Sequence, residues 1–336
     1  MLGLFNGTMW ENNVVSLGEP PGYWDTLVGW WDFTVTANNL YEEPDSGTSY
    51  ITTITSDGDP IGRCKNKARK FQSRELGKFI RATSDNNRPT FKTGGANGHS
   101  YAEFDNSSYV QALVCRSTDT GWGAISTDKL SATRLKAEDL SIFIVGEPLD
   151  DDTDGDEEHI FSYFGYYAGE GYPEFDSDDY IRFTYKRDDD DDHHASWTLG
   201  DSDAAVSPNT INATEPQWHF NSGSASIINI QTAPIAGGAN IYTNNLPDID
   251  QTIFHPDSPS ISAQHNWCDF DPVDYDDSLT ASIGIGGLVS STGVINTNSF
   301  EGKIYEILVY KEALSEIDRS LLTYYLGYKY DINITT

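Results

Sequence analysis

The chain has 336 residues, 38% hydrophobic and 12% aromatic, enough to bury a sizeable core, which excludes global disorder. Its 21 Lys and Arg against 52 Asp and Glu leave a net charge of −31. A molecule that acidic repels nucleic acid and anionic lipid as a whole, and is most at ease in a salty medium that screens its self-repulsion. Three cysteines (Cys64, Cys115 and Cys268) do not make a disulfide framework. No stretch reaches the roughly 18–20 apolar residues of a membrane span, so no membrane insertion is expected. The opening Met1–Asn6 lacks the basic start and apolar run of a signal peptide. A role outside a cell therefore needs another route, of which assembly into a particle followed by lysis is one.

In chain order, the breaker cluster Gly18-Glu19-Pro20-Pro21-Gly22 isolates Met1–Leu17, so residues 1–26 read as an arm and 27–336 as the folded body. Leu27–Phe33 reads as a buried, aromatic-rich strand. β-rich runs recur at Ser49–Thr55, Tyr101–Phe104, Tyr109–Val114, Ser141–Gly146, His159–Phe164 and Tyr180–Lys186. They continue at Ser226–Gln231, Asn240–Tyr242, Ala281–Gly286 and Lys303–Tyr310, always separated by Gly, Asn, Asp, Ser and Pro. That is the pattern of an all-β sandwich or jelly roll. One helix is predicted near the end: Ser315 caps it, Glu316 and Asp318 suit its first turn, and Gly327 ends it. Ile317, Leu321, Leu322, Tyr325 and Leu326 are expected to share its packed face.

Charge is not evenly spread. Between Arg63 and Lys92 stand ten cations, Arg63, Lys65, Lys67, Arg69, Lys70, Arg74, Lys78, Arg81, Arg88 and Lys92, against Glu75 and Asp85. Asp150–Glu158 and Asp188–Asp192 are dense acidic loops.

The order of landmarks resembles the concanavalin A-like lectin/glucanase superfamily, in the laminin-G-like form found in phage virion proteins. Trp30-Trp31-Asp32 is similar to its opening W-x-D, Asn66-Lys67-Ala68 and Asn87-Arg88-Pro89-Thr90-Phe91 to its N-K-A and R-P-T stretches. Asn97-Gly98 with Tyr101–Asp105 is similar to its N-G and F-D pieces. Phe300–Tyr310, Ala313-Leu314-Ser315 and Tyr328-Lys329-Tyr330 are similar to its terminal block. The resemblance covers about residues 27–332 and implies two curved antiparallel sheets stacked face to face, a two-sheet jelly-roll sandwich with one C-terminal helix. It leaves function open, since that fold carries lectins, hydrolases and inert modules alike.

The chemistry divides as follows. Glu174-Phe175-Asp176-Ser177-Asp178 is the nearest match to the alternating carboxylates with which the superfamily's glucanases flank a glycosidic bond. Its last acid is Asp where that family uses Glu, and the Gly and Pro around it read as a solvated turn. Asp150, Asp152 and Asp154 before Gly155, with Asp156 beyond, have the oxygen spacing of half a calcium loop. The glutamate that completes such a loop is replaced by Phe161, so calcium or a solvated acidic loop both stand. Asp188–Asp192 with His193 and His194 leaves the same choice. The basic run, with Arg63, Lys65, Lys67, Arg69, Lys70 and Arg74 as its densest part, reads as an interface for an acidic partner or as surface paired with its own acids. Nucleic acid is the weakest partner, given the global charge. Trp122, Trp197, Trp218 and Trp267 fit core packing or a glycan platform.

From these readings the expected protein is non-enzymatic and sits on the surface of a virion, as a capsid decoration or a tail or fibre component of a tailed virus. Met1–Leu17 and the basic run would dock on other virion proteins as a homo-oligomer within the assembly, with a host surface glycan as a further ligand. Its rivals are a carbohydrate-binding module, recognised by glycan binding that a chelator abolishes, and an acidic glycoside hydrolase, recognised by activity lost on Glu174→Gln.

Overall fold

The computed structural model describes residues 20, 26–43, 52–68, 77, 79–105, 109–116, 140–149, 157–166, 179–187, 193–200, 224–233, 238–247, 280–288 and 299–334. Two antiparallel sheets of eight strands each lie in a sandwich. The first runs β14 (Leu246–Pro247), β13 (Gly238–Thr243), β12 (Ser226–Ala233), β8 (Ser141–Pro148), β16 (Gly302–Tyr310), β6 (Tyr101–Phe104), β5 (Thr90–Lys92). Its eighth strand, β1 (Leu27–Asp32), pairs with the second half of β16, beside the end that β6 occupies. The second sheet runs β11 (His193–Gly200), β10 (Asp179–Arg187), β9 (Glu157–Tyr166), β15 (Thr280–Ile285), β7 (Leu113–Arg116), β4 (Phe79–Arg81), β3 (Arg63–Lys65), β2 (Leu40–Tyr41). This is the all-β sandwich that the alternating runs predict, with the two stacked antiparallel sheets that the resemblance implies and, among the described residues, one α-helix near the C-terminus.

Two apolar clusters hold it. Between the sheets lie Trp31, Phe33, Phe104, Phe161, Phe300, Ile307 and their neighbours. The alternation of side chains along a strand sends the other face of the first sheet outward, and there Trp30, Phe143, Leu308 and Tyr310 meet the helix α1 (Glu316–Tyr330) through Leu322, Tyr325, Leu326 and Tyr330. Burying each large apolar side chain contributes about 1.5–3 kcal/mol, so the helix is a third layer rather than an appendage.

Some elements differ from expectation for identifiable reasons. Of the three-residue strands, β3 carries a cation at each end and β4 and β5 each end on one, so they read as a charged run rather than as strands. Of Ser49–Thr55, the part through 51 lies outside the described residues, and Thr53 makes an isolated bridge to Tyr41. The run at Tyr109 begins its strand only at Leu113. Ser315 caps α1 by accepting the Asp318 N–H, as expected, but the helix runs through Gly327 to Tyr330. It ends at Asp331, which takes the left-handed conformation with φ 55°, and the Ile332 N–H donates to the Gly327 carbonyl. Gly327 is required by close approach instead: a Cβ there would lie 2.4 Å from Ile334 Cγ1, because the tail folds back across the last turn. The arm Met1–Leu17 lies outside the described residues.

Candidate functional site

The densest chemistry among the described residues sits under α1, where β1 and β16 run side by side. Their register sets Asp32 opposite Glu306. A β-bulge at Tyr305, where Ile304 pairs with Gly146 and Glu306 with Val145, turns both Tyr305 and Glu306 toward the helix. Two carboxylates are thus buried face to face, Asp32 at 1% and Glu306 at 0% exposure. Left alone they would repel each other and pay a full desolvation penalty.

Lysines from both flanks answer them. Lys329 Nζ, on the last turn of α1, lies 2.7 Å from Glu306 and 3.6 Å from Asp32. Lys67 Nζ donates to Asp32 at 2.8 Å while resting 4.0 Å from the Trp30 ring centroid. Every remaining carboxylate oxygen has a donor: Trp30 Nε1 and Tyr330 OH reach Glu306 at 2.6 and 2.8 Å, and the Thr34 N–H and hydroxyl reach Asp32. Burial by itself would raise the Asp32 pKa, but Lys329 and Lys67, with the hydrogen bonds of Lys67 and Thr34, outweigh it and hold Asp32 below the ordinary carboxylate range.

The surrounding motif residues serve the same clasp. Asn66 accepts the Trp30 and Ala68 N–H groups and donates to the Val28 and Gly77 carbonyls, covering the free edge of β1. Asn97, in a turn with φ 49°, donates to the Lys329 carbonyl, as His99 does from 3.0 Å, so the helix end is capped by the loop before β6. A second pair continues the network along the sheet: Lys303 Nζ donates to Glu147 at 2.6 Å, Tyr305 OH donates to Glu147 at 3.2 Å and accepts the Ala96 N–H.

Such a network titrates late on the alkaline side. Burial pushes Lys329 toward its neutral form, yet Glu306 and Asp32 prevail and raise its pKa above the ordinary lysine value. Burial, and then Glu306, raise the phenols of Tyr310 and Tyr330, and burial raises Tyr305. Groups with a raised folded pKa stabilise fully below the unfolded value, about 10 for both residue types, and lose that contribution as pH rises through the folded value. The denaturation midpoint is expected to hold flat to about pH 10 and then fall. Phenolate absorbance should show a group of tyrosines that ionise only as the protein unfolds. Complete tyrosine ionisation while the fold is intact would contradict this.

Of the six cations expected at a partner interface, three are described. Arg63 is 4% exposed, its guanidinium 4.6 and 5.1 Å from the Tyr41 and Phe79 ring centroids. Lys67 belongs to the clasp, and half-buried Lys65 stands opposite Phe79 in β3. Arg69, Lys70 and Arg74 lie outside the described residues. Elsewhere in the basic run, Arg81 is buried, Arg88 contacts Asp85 at 3.6 Å and donates to the Glu42 carbonyl, and Lys92 meets Glu103 at 3.5 Å.

The calcium candidates Asp150, Asp152, Asp154 and Asp156 lie outside the described residues, in the connection from β8 to β9; so do Glu174–Asp178, Asp188–Asp192, Trp122, Trp218 and Trp267. His193 and His194 open β11, which also carries Trp197. The clasp itself escaped the sequence reading as a site. Its signal was a lone Glu306 inside the apolar run Ile304–Tyr310, since a carboxylate in a buried strand demands a cation from elsewhere in the chain.

With two sheets, a bulged central strand and a helix locked over it, the chain is a jelly-roll sandwich. No protein-family model matches it, and no curated protein matches it. Among solved structures it is similar to domain 4 of AbnA, a GH43 extracellular arabinanase from Geobacillus stearothermophilus in complex with arabinotriose. That match has 11% identity over 89% of this chain and 98% of that one, with a TM-score of 0.40. The native heptameric SAP-like pentraxin from Limulus polyphemus matches 55% of this chain and 68% of its own at 14% identity and a TM-score of 0.32. The Ruminococcus gnavus IT-sialidase CBM40 bound to alpha2,3 sialyllactose matches 62% of this chain and 90% of its own at 13% identity and a TM-score of 0.34.

Proposed function

We propose that the chain is a non-enzymatic surface protein of a virus particle, a capsid decoration or a tail or fibre component of a tailed virus. Met1–Leu17 docks it on other virion proteins and the sandwich is displayed outward. The observation that supports an attachment role is the clasp. Asp32 and Glu306, the buried acids a catalytic reading would reach for first, are saturated by Lys67, Lys329, Trp30, Tyr330 and Thr34. A carboxylate with every oxygen satisfied and no exposure cannot exchange a proton with a substrate. What it does is bind the first strand, the central strand and the closing helix into one rigid body, which suits a module that has to stand on a particle. The net charge of −31 keeps such a body soluble and steers it toward basic or neutral partners.

Deleting Met1–Leu17 tests the reading. The truncated chain is expected to melt as the full chain does, because the deletion removes none of the described residues, and to be missing from purified particles when their proteins are weighed by mass spectrometry. Incorporation at normal occupancy would overturn the docking role.

A further inference from the structure

The helix α1 has two apolar faces, and the fold uses only one. Leu322, Leu326 and Tyr330, with Arg319 and Thr323, face the sheet and are buried. On the opposite side Ile317, Leu321, Tyr324 and Tyr328 recur at i, i+4, i+7 and i+11, which places them within about 60° of one another on the helix surface. Ile317 is 72% and Tyr328 74% exposed, while Leu321 and Tyr324 between them are partly covered. A helix resting on its own domain normally turns charged residues to solvent. A continuous outward stripe of Ile, Leu and two Tyr is the mark of a surface that is covered in the working assembly.

We infer that the stripe seats the Met1–Leu17 segment of a neighbouring copy of the chain. The inference rests on the docking reading above and names the receptor for the arm. Three observations select this occupant. The first is charge. The stripe begins between Glu316 and Asp318 on a molecule of net charge −31, so apposing two such faces directly would set like charges together, and the occupant cannot itself be acidic. Across residues 1–18 the only charged side chain is Glu11, and Leu4, Phe5, Met9, Trp10, Val14 and Val15 supply apolar surface.

The second is position. The Lys311 N–H donates to the Thr26 carbonyl at 2.8 Å, so the chain enters β1 beside the segment that leads into α1, five residues before the helix starts. Thr26 and the segment that leads into the stripe therefore lie side by side, so neighbouring copies can exchange what precedes Thr26. The third is reach. Seventeen residues span about 25 Å as a helix and about 55 Å extended, against about 22 Å for the 15-residue α1, so the arm can cover the whole stripe.

The test uses the full chain carrying a photo-cross-linking amino acid in place of Tyr328, in an equal mixture of copies with natural and heavy nitrogen. Illumination followed by peptide mass spectrometry is expected to join position 328 to Met1–Leu17 of the other isotope. Sedimentation of the uncross-linked chain should show self-association that Ile317→Ser/Tyr328→Ser and Leu4→Ser/Phe5→Ser each weaken about tenfold or more. The melting curve should not move, since Ile317 and Tyr328 are exposed. Cross-links confined to one copy, cross-links to any other segment, or a chain that stays monomeric at high concentration would overturn the inference. If it fails while deletion of Met1–Leu17 still abolishes incorporation, the arm docks on a different virion protein and the docking reading survives; if deletion has no effect either, both fall.

Discussion

Replacing Lys329 by Met is expected to destabilise the protein by about 3–5 kcal/mol, the usual cost of leaving a buried ion pair half made. The size follows from the register: Asp32 and Glu306 lie opposite each other on adjacent strands with almost no exposure, and Lys329 is the cation that reaches both. Lys67 remains on Asp32 but leaves Glu306 with only the neutral donors Trp30 and Tyr330. Two further measurements separate this cause from lost helix packing. Adding Glu306→Gln to Lys329→Met should recover stability, so that the double variant is better than the sum of the singles by about 1–3 kcal/mol. The loss should also shrink on acidification. Without Lys329 a buried carboxylate has a raised folded pKa, and a raised pKa contributes stability at low pH that disappears as pH rises through it. Denaturant midpoints at pH 4.5 and pH 7 check this; an equal loss at both would mean that packing, not charge, is what Lys329 supplies.

Gly286→Ala should be at least as damaging, about 3 kcal/mol or more. Gly286 follows β15 with φ +80°, and a Cβ there would sit 2.2 Å from Phe104 Cε1 and 2.3 Å from Cδ1. Neither side can yield. Phe104 is fully buried, with the Phe300 ring centroid 6.4 Å away, and Gly286 is tied through its N–H to the Ile160 carbonyl and through its carbonyl to the Phe300 N–H. Gly58 is the control: its φ is +90° but nothing lies within 4 Å of a Cβ. Gly58→Ala should cost only the backbone penalty of about 1–2 kcal/mol, and the difference between the two variants measures the steric term. Similar losses at both positions would show that Phe104 has room to move.

The strands that could be read directly are those whose composition has one message. Ser141–Gly146 and Lys303–Tyr310 are long, apolar and β-branched, and both are central strands. Where composition carries two messages, the louder one hid the structure. Arg63-Cys64-Lys65 flanks a core residue with two cations and Phe79-Ile80-Arg81 follows one with a third, and Cys64 and Ile80 are fully buried in the inter-sheet core, yet the cations made the stretch look like a surface patch. On α1 the periodicity was strong enough to predict a helix but could not say which of two apolar stripes faces inward. Ile317 and Leu321 were expected on the packed side with Leu322, and Ile317 is the most exposed of the three. The clasp was illegible for a different reason. Trp30 and Glu306 are 276 residues apart, and Lys67 and Lys329 come from two further places, so only the topology brings them together. Its members were nonetheless the landmarks of the superfamily resemblance, and the structure gives each of them a bond to make.

The pairing of β1 with β16 has a consequence for biosynthesis. β1, at residues 27–32, has its partner in residues 306–310 of β16, and β6 and β8 wait for that same strand. Contacts so distant along the chain make for slow folding, and until residue 310 emerges the nascent polypeptide holds aromatic strands with no match. A product that stops short of β16 would lack the strand that joins β1, β6 and β8, and would be a natural substrate for proteases.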